Sequence, residues 1–316
     1  MRTNNQSQTT SKSWERDAAI QISETPKKNL FETITEKIIS VIEAGEANGG
    51  IKWAGQGASA SLPINLKTGN PYNGVNVLLL WATAQERGYT SNYWLTYNQA
   101  KEMGGQVRKG EKATTGVFWG TREITDEDDN GDETTRKAAF AKAFSVFNLD
   151  QIDGLTVPDA APAGHEWDAH QAAEALIKAS GARIIEGGAR AFYRPADDEI
   201  HMPDRERFEN AENFYAVNLH ELTHWTGHVD RCARDLKGRF GDDAYAMEEL
   251  IAELGAAFLC AETSINGRIE NHASYIKSWL KVLKSDPRAI ITAASKASQA
   301  ARFLIDGQPA EIRKAA

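Results

Sequence analysis

Two histidines separated by three residues, with a glutamate directly after the first, occupy His220-Glu221-Leu222-Thr223-His224. In an α-helix, residues four apart share a face one turn apart, so both imidazoles of a helical segment can reach one tetrahedral ion. Glu221 then stands beside the open coordination position, where a carboxylate can take the proton from water. The pattern predicts a zinc-dependent hydrolytic centre of metallopeptidase type, with another divalent metal as the alternative to Zn2+. The helix is expected to run from Ala211 to Trp225 and to close at Gly227. The competing explanation is a pair of surface histidines on a solvated helix.

Such a site needs a third protein ligand. Over Tyr245 to Leu254, helical spacing puts Glu249 and Glu253 on one face and leaves Glu248 pointing away from that pair, while Leu250, Leu254 and Phe258 make the apolar stripe. A carboxylate ligand followed four residues later by an acid that orients a ligating histidine resembles the gluzincin metallopeptidases. On that resemblance Glu249 is the ligand and Glu253 fixes the tautomer of His220 or His224. Asp230 is the rival, because His220-Glu-x-x-His224-x-x-Gly227-x-x-Asp230 looks like a metzincin pattern with aspartate in the third position. His228 would reach only if the helix continued past Gly227, and acids spaced like Glu249 and Glu253 also serve simply to solvate a helix. Tyr245 is the catalytic candidate for donating a hydrogen bond to a developing oxyanion, ahead of His272 and Tyr275, with ordinary packing as the competing role of each.

The rest of the 316-residue chain is long enough for two domains, each with its own core. The longest apolar run, Val77 to Ala82, is far too short to cross a bilayer, so no membrane association is expected. Met1 to Glu24 is polar, lacks the apolar stretch of a secretory signal, and reads as a disordered tail over residues 1–25. Cys232 and Cys260 are the only cysteines, which fits a reducing cytoplasm.

Residues 26–155 read as an α+β domain. An amphipathic helix carries Phe31, Ile34, Ile38 and Ile42, and a buried helix spans about Val77 to Glu86. Thr96 with Gln99 forms a capping box for a short helix that stops at Gly104-Gly105. Strands are expected at Thr114 to Trp119 and Phe140 to Leu149, separated by the acidic stretch Asp126 to Glu133, whose Asn130-Gly131 suits a hairpin turn. A linker over 156–168 leads to a mainly helical domain with a small sheet, 169–316: a helix at His170 to Ala179, a strand at Arg183 to Glu186, a hairpin from Ala191 to Met202, then helices. Asp286-Pro287 marks an N-cap and first-turn proline.

The formal net charge of -8 excludes a protein whose whole surface coats nucleic acid, but Pro26 to Arg122 carries eleven basic against seven acidic residues. The same segment is crowded with aromatics, from Trp53, Tyr72 and Trp81 to Tyr97, Phe118 and Trp119. Rings that stack on bases, interleaved with cations that meet phosphates, suit single-stranded nucleic acid, although an aromatic core with a solvated rim would show the same pattern. The candidate contacts are Trp53, Tyr72, Asn73 and Trp94, with Arg108, Lys109 and Lys112 on a glycine-bearing loop whose amides can approach an anion.

Beyond the tail, most of the chain resembles the ArdC-type antirestriction proteins of conjugative plasmids and other mobile elements. The resemblance is carried by Asn73 to Leu80, Trp94-Leu95-Thr96-Tyr97, Gly104 to Glu111, Phe147-Asn148 with Gln151-Ile152-Asp153-Gly154, His220 to His228, and Tyr245 to Phe258. It implies an N-terminal domain that binds single-stranded DNA, related to one in plasmid primases, and a C-terminal zincin-like metallopeptidase domain, for which a protein substrate is a candidate partner. It also implies protection of entering DNA from host restriction. The family's proline- and tryptophan-rich stretch after the first helix is reduced here to Lys52-Trp53-Ala54-Gly55. Two other functions fit the residues alone: a DNA-binding protector whose metal is structural, and a general peptidase with an aromatic substrate domain.

Overall fold

A computed structural model describes residues 29–47, 51, 53, 61–127, 133–155, 166–236, 238, 242–266 and 273–307. The polar tail, Lys52, Ala54, Gly55, the Asn130-Gly131 turn, residues 156–165 of the linker and His272 lie outside them.

The chain opens with α1 (Leu30–Ala47), followed by β1 (Ile64–Asn65), α2 (Val75–Arg87), β2 (Tyr93–Leu95), α3 (Tyr97–Glu102) and β3 (Gln106–Val107). The expected capping box starts α3: Thr96 Oγ1 accepts from the Gln99 amide at 3.2 Å, and Gln99 Oε1 from the Thr96 amide at 2.9 Å. Then come β4 (Thr114–Glu127), β5 (Glu133–Asn148) and β6 (Ile152–Asp153). β4 and β5 are far longer than the two expected strands, pairing antiparallel without a break from Thr114↔Val146 to Glu127↔Glu133. The strands run on because Thr121, Ile124, Thr125, Thr134 and Thr135 are β-branched residues that favour extended backbone. A four-stranded sheet runs β1-β2-β5-β4, and β3 pairs with β6.

The second half begins with α4 (Glu166–Ser180), which takes in the last three residues expected to be linker. β7 (Arg183–Glu186), β8 (Phe192–Arg194) and β9 (Glu199–Met202) form a sheet in the order β7-β9-β8, with the β8–β9 hairpin as expected. Four helices follow: α5 (Ala211–Trp225), α6 (Asp243–Thr263), α7 (Ala273–Ser285) and α8 (Ala289–Asp306). Among the described residues no helix is long and apolar enough to cross a membrane. The architecture is α+β: most strand pairings are antiparallel, and four consecutive helices follow the last sheet.

The main buried cluster draws on both halves of the chain. Ile34, Ile38 and Ile42 of α1 and Leu78 and Trp81 of α2 join Leu250, Leu254 and Phe258 of α6 and Trp279 of α7 in one core. Trp81 and Phe258 pack with ring centroids 5.8 Å apart. Polar ties cross the same boundary: Thr35 Oγ1 donates to the Pro287 carbonyl at 2.6 Å, and the Gly74 amide to Ser298 Oγ at 2.8 Å. α6 lies at the centre, buried on nearly every side, and the alanines of α8 (Ala293, Ala294, Ala297, Ala300 and Ala301) let the two helices approach closely. Ile38→Ala should therefore cost about 2–5 kcal/mol and lower a single unfolding transition in urea. Two separated transitions, of which only one shifted, would contradict a shared core.

Candidate metal centre

α5 starts where Asn210 Oδ1 accepts from the Asn213 amide at 2.8 Å and runs through Trp225, as the sequence predicts. Gly227 does not end it by a left-handed turn, since its φ is not positive. Its importance is spatial: a Cβ there would sit 2.8 Å from Leu236 Cδ2 and 3.0 Å from Arg234 Nη2. α6 starts on Asp242, whose Oδ1 accepts from the Tyr245 amide at 2.7 Å. The two helices meet at Thr223 and Gly255, where a methyl on residue 255 would lie 2.4 Å from Thr223 Cγ2. Only a glycine there permits the crossing that brings the histidines of α5 onto the acids of α6.

At that crossing His220 Nε2 and His224 Nε2 are 3.2 Å apart, and each is 3.6 Å from an oxygen of Glu249. Ligand atoms about 2.0–2.2 Å from a tetrahedral ion are separated by about 3.3–3.6 Å. Two imidazoles and a carboxylate already at those separations fit a divalent ion of the borderline type that takes mixed N and O ligands. The side chains of His220 and His224 keep 13% of their surface exposed, so the centre opens to solvent on one side. Burial lowers the pKa of His220, but hydrogen bonding to Glu249 and the charges of Glu221, Glu249 and Glu253 outweigh it and lift the imidazole to about 9. Glu249, despite burial acting the other way, is drawn down to about 2 by its bond to His220 and the nearby histidine charges.

The rival ligands lie elsewhere. The Asp230 side chain is 82% exposed and its carboxylate faces His228 Nδ1 at 3.4 Å. Glu221 is buried directly after His220 on α5. Tyr245, one turn before Glu249 on α6, places its hydroxyl 3.3 Å from that of Tyr275. Burial, the Tyr275 contact and the charge and hydrogen bond of Glu249 all push its phenol well above the ordinary tyrosine range.

The orientation of the histidines differs from the expectation. Glu253 Oε2 is 3.8 Å from His220 Nδ1, beyond hydrogen-bond reach, whereas His224 Nδ1 donates to Glu248 Oε1 at 3.1 Å. Glu248 does not point away from the centre. It sits about 100° round α6 from Glu249, and that offset carries it to the far nitrogen of the His224 ring. Arg234, with 2% of its side chain exposed, anchors it: Nε donates to Glu248 Oε2 at 3.0 Å and Nη2 to Oε1 at 2.8 Å. The same guanidinium donates to the Thr223 carbonyl at 2.6 Å and to Thr226 Oγ1 at 2.8 Å. Nothing in the spacing pointed to Arg234, because it lies on a loop and reaches α6 only through the tertiary fold.

Trp53, expected among the DNA contacts, belongs to this centre. It is 7% exposed and its Nε1 donates to Glu253 Oε1 at 3.3 Å, so the ring is committed to the core. Trp53→Phe keeps most of the packing and removes the donor, and outer partners of metal ligands are worth about 10–100-fold in affinity. A loss of roughly tenfold in affinity for a divalent metal is expected, measured by competition with a chromophoric chelator. Unchanged affinity would mean that the indole only fills space.

The other expected DNA contacts divide by burial. Trp94 is 1% exposed, packed edge-on against Tyr89 at 5.9 Å, and offers no free face to a base. Tyr72 is half-buried, its hydroxyl accepting from Asn65 Nδ2 at 3.3 Å, and Asn73 is exposed. Lys109 and Lys112 are exposed. Arg108 is exposed but already paired, with Glu111 at 2.9 Å and Asp153 at 3.4 Å.

Comparison with known proteins matches both halves. Residues 28–147 match the family described as the N-terminal domain of anti-restriction factor ArdC, and residues 171–296 the family described as zincin-like metallopeptidase. The chain is 41% identical over 297 residues to the uncharacterized protein y4eC of Sinorhizobium fredii (strain NBRC 101917 / NGR234), covering 91% of this chain and 96% of that protein. It is 39% identical over 303 residues to the DNA primase TraC of Escherichia coli, a match to 91% of this chain but only 28% of the primase. The metal-free crystal structure of antirestriction protein ArdC from plasmid R388 superposes with a TM-score of 0.72 at 42% identity, covering 89% of this chain and 98% of that one. The Mn(II)-bound structure of that protein gives 0.71 at 41% identity. The chain belongs to the ArdC family of antirestriction proteins, with a zincin-like metallopeptidase domain as its C-terminal part.

Proposed function

We propose that this protein binds single-stranded DNA through its N-terminal part, residues 26–155, and carries a zinc-dependent peptide-hydrolysing site in residues 169–316. Together they would protect entering mobile-element DNA from restriction in the host cytoplasm. The observation that carries the hydrolytic half is the cluster of His220, His224 and Glu249, whose ligand atoms all lie within 4.8 Å of one another, beside the buried Glu221. The DNA half is supported by the match to the ArdC N-terminal domain and by the primases among the relatives.

His220, His224 and Glu249 would hold the ion, which supplies Lewis-acid activation of a water and of a substrate carbonyl. A Glu221 carboxylate oxygen takes the proton of the attacking water and passes it to the leaving nitrogen. The Tyr245 hydroxyl, kept protonated by its surroundings, donates to the carbonyl oxygen as charge develops there. Glu248 holds the His224 imidazole in place by a hydrogen bond, and the Glu253 carboxylate, 3.8 Å from His220 Nδ1, acts on that ring by its charge.

Zinc content, oligonucleotide binding and restriction protection of the parent and of Glu221→Gln test the proposal. The parent should retain one zinc per chain and bind single-stranded DNA with an affinity that falls as salt rises. Absence of stoichiometric metal would remove the hydrolytic half. Full protection by Glu221→Gln would separate protection from peptide hydrolysis.

A further inference from the structure

Base-stacking surfaces require exposed ring faces, and burial has removed Trp53 and Trp94 from that role. Among the described aromatics of this half the most exposed are Tyr97 on α3 and Phe118 and Trp119 on β4, and Phe118 lies beside the half-buried Phe140 and Phe144 of β5. Strand alternation puts residues 116, 118 and 120 of β4 on one face with residues 140, 142 and 144 of β5, in the register Gly116↔Phe144, Phe118↔Lys142 and Gly120↔Phe140. Phe118 is 55% exposed and its ring centroid is 6.2 Å from that of Phe140. The two glycines make room for the rings opposite them: a Cβ on Gly116 would lie 2.5 Å from Phe144 Cζ, and one on Gly120 2.6 Å from Phe140 Cζ.

The three phenylalanines and Lys142 line a cleft of about 590 Å³ whose far wall is Tyr72 with the amides of Asn65 and Gln99. No lining residue is acidic, although the chain as a whole carries a net charge of -8. Arg122, exposed, follows on the same face of β4. The neighbouring cleft along Arg108 and Lys109 is different, because Glu111 and Asp153 also line it and pair with Arg108. The opposite face of β4 turns toward α1, with Trp119 and Phe31 at 5.9 Å.

We propose that Phe118, Phe140 and Phe144 form a stacking platform on which single-stranded DNA lays successive bases, with Lys142 and Arg122 meeting its phosphates. The assignment rests on the proposed DNA binding and names the face that performs it. Rings at this spacing accept any base, and hence a strand of any sequence. Lys142, the one cation among the cleft's lining residues, has no acid beside it there, which favours a polyanion over an acid-bearing peptide or a second copy of this chain.

The test is fluorescence anisotropy of a labelled oligothymidylate with the full chain at two salt concentrations. Phe118→Ala should weaken binding about tenfold, since stacking is worth about 1–3 kcal/mol per base, while Phe118→Trp should bind as the parent does. Lys142→Ala should lower the slope of log affinity against log salt by about 0.7. Both side chains are exposed, so neither change threatens folding. Phe192→Ala, which alters an exposed aromatic of the other half, should leave affinity unchanged. If the parent binds and Phe118→Ala and Lys142→Ala bind equally well, the platform is overturned while DNA binding stands. An equal loss in Phe192→Ala also overturns it. A shift from dimer to monomer in Phe118→Ala without loss of DNA affinity would assign the face to self-association and overturn it too. If the parent does not bind, platform and DNA binding fall together.

Discussion

Arg234→Met should destabilise the protein by about 3–5 kcal/mol, the range for breaking a buried ion pair by removing one partner. Methionine retains the bulk of the side chain, so the loss comes from charge and hydrogen bonds rather than from a cavity. Glu248 would be left buried without the guanidinium that now meets both its oxygens, and the Thr223 carbonyl and Thr226 hydroxyl would each lose a donor. Glu248 also fixes the His224 ring, so zinc affinity should fall by about 10–100-fold in the same variant. Urea unfolding of the metal-free protein isolates the first effect, and chelator competition the second. Adding Glu248→Gln to Arg234→Met should recover part of the stability, because a neutral amide costs less to bury than an unpaired carboxylate. A metal-free Arg234→Met protein that unfolds within about 1 kcal/mol of the parent would show that the pair contributes no more than a surface contact does.

Glu221→Gln should leave zinc content and thermal stability near those of the parent, yet lower hydrolysis of a fluorogenic casein by about 10²- to 10⁴-fold, the usual contribution of a general base. The substitution keeps the shape of the side chain and removes only its ability to accept a proton. His220→Ala is the necessary contrast: it should lose the ion, and with it the added stability that ion binding confers, about 2.7 kcal/mol at a free zinc concentration a hundred times the dissociation constant. If Glu221→Gln hydrolyses casein as fast as the parent, the proton acceptor is another group. If the two variants lose zinc equally, Glu221 helps to hold the ion.

Local structure was legible where a periodic pattern coincided with a cap. α5, with Asn210 before it and His220 and His224 on one face, lies where the sequence places it, and α3 begins on the Thr96–Gln99 capping box. Both depend on interactions between residues at most four apart, which a linear reading can follow. The spacing of Glu249 and Glu253 likewise put both on the face of α6 that meets the histidines. What an acid does on arrival was not legible. Glu248 shares composition and neighbourhood with Glu249, and only the crossing at Thr223 and Gly255, with Arg234 delivered by a distant loop, makes it the partner of His224.

The aromatic residues show the same division. Their crowding between Trp53 and Trp119 was plain in the sequence, but a tryptophan in a core and one on a surface have the same composition. Burial separated them, placing Trp53 against Glu253 and Trp94 in a cluster with Leu80 and Ala84 of α2, while the register of two long strands exposed Phe118 beside Lys142. By itself the sequence determined the candidate metal-site helix, its two histidines and the adjacent carboxylate, because helical geometry alone sets their spacing. The partners of those histidines, and the aromatic rings left open to solvent, were decided by the tertiary structure, since both depend on contacts between segments far apart in the chain.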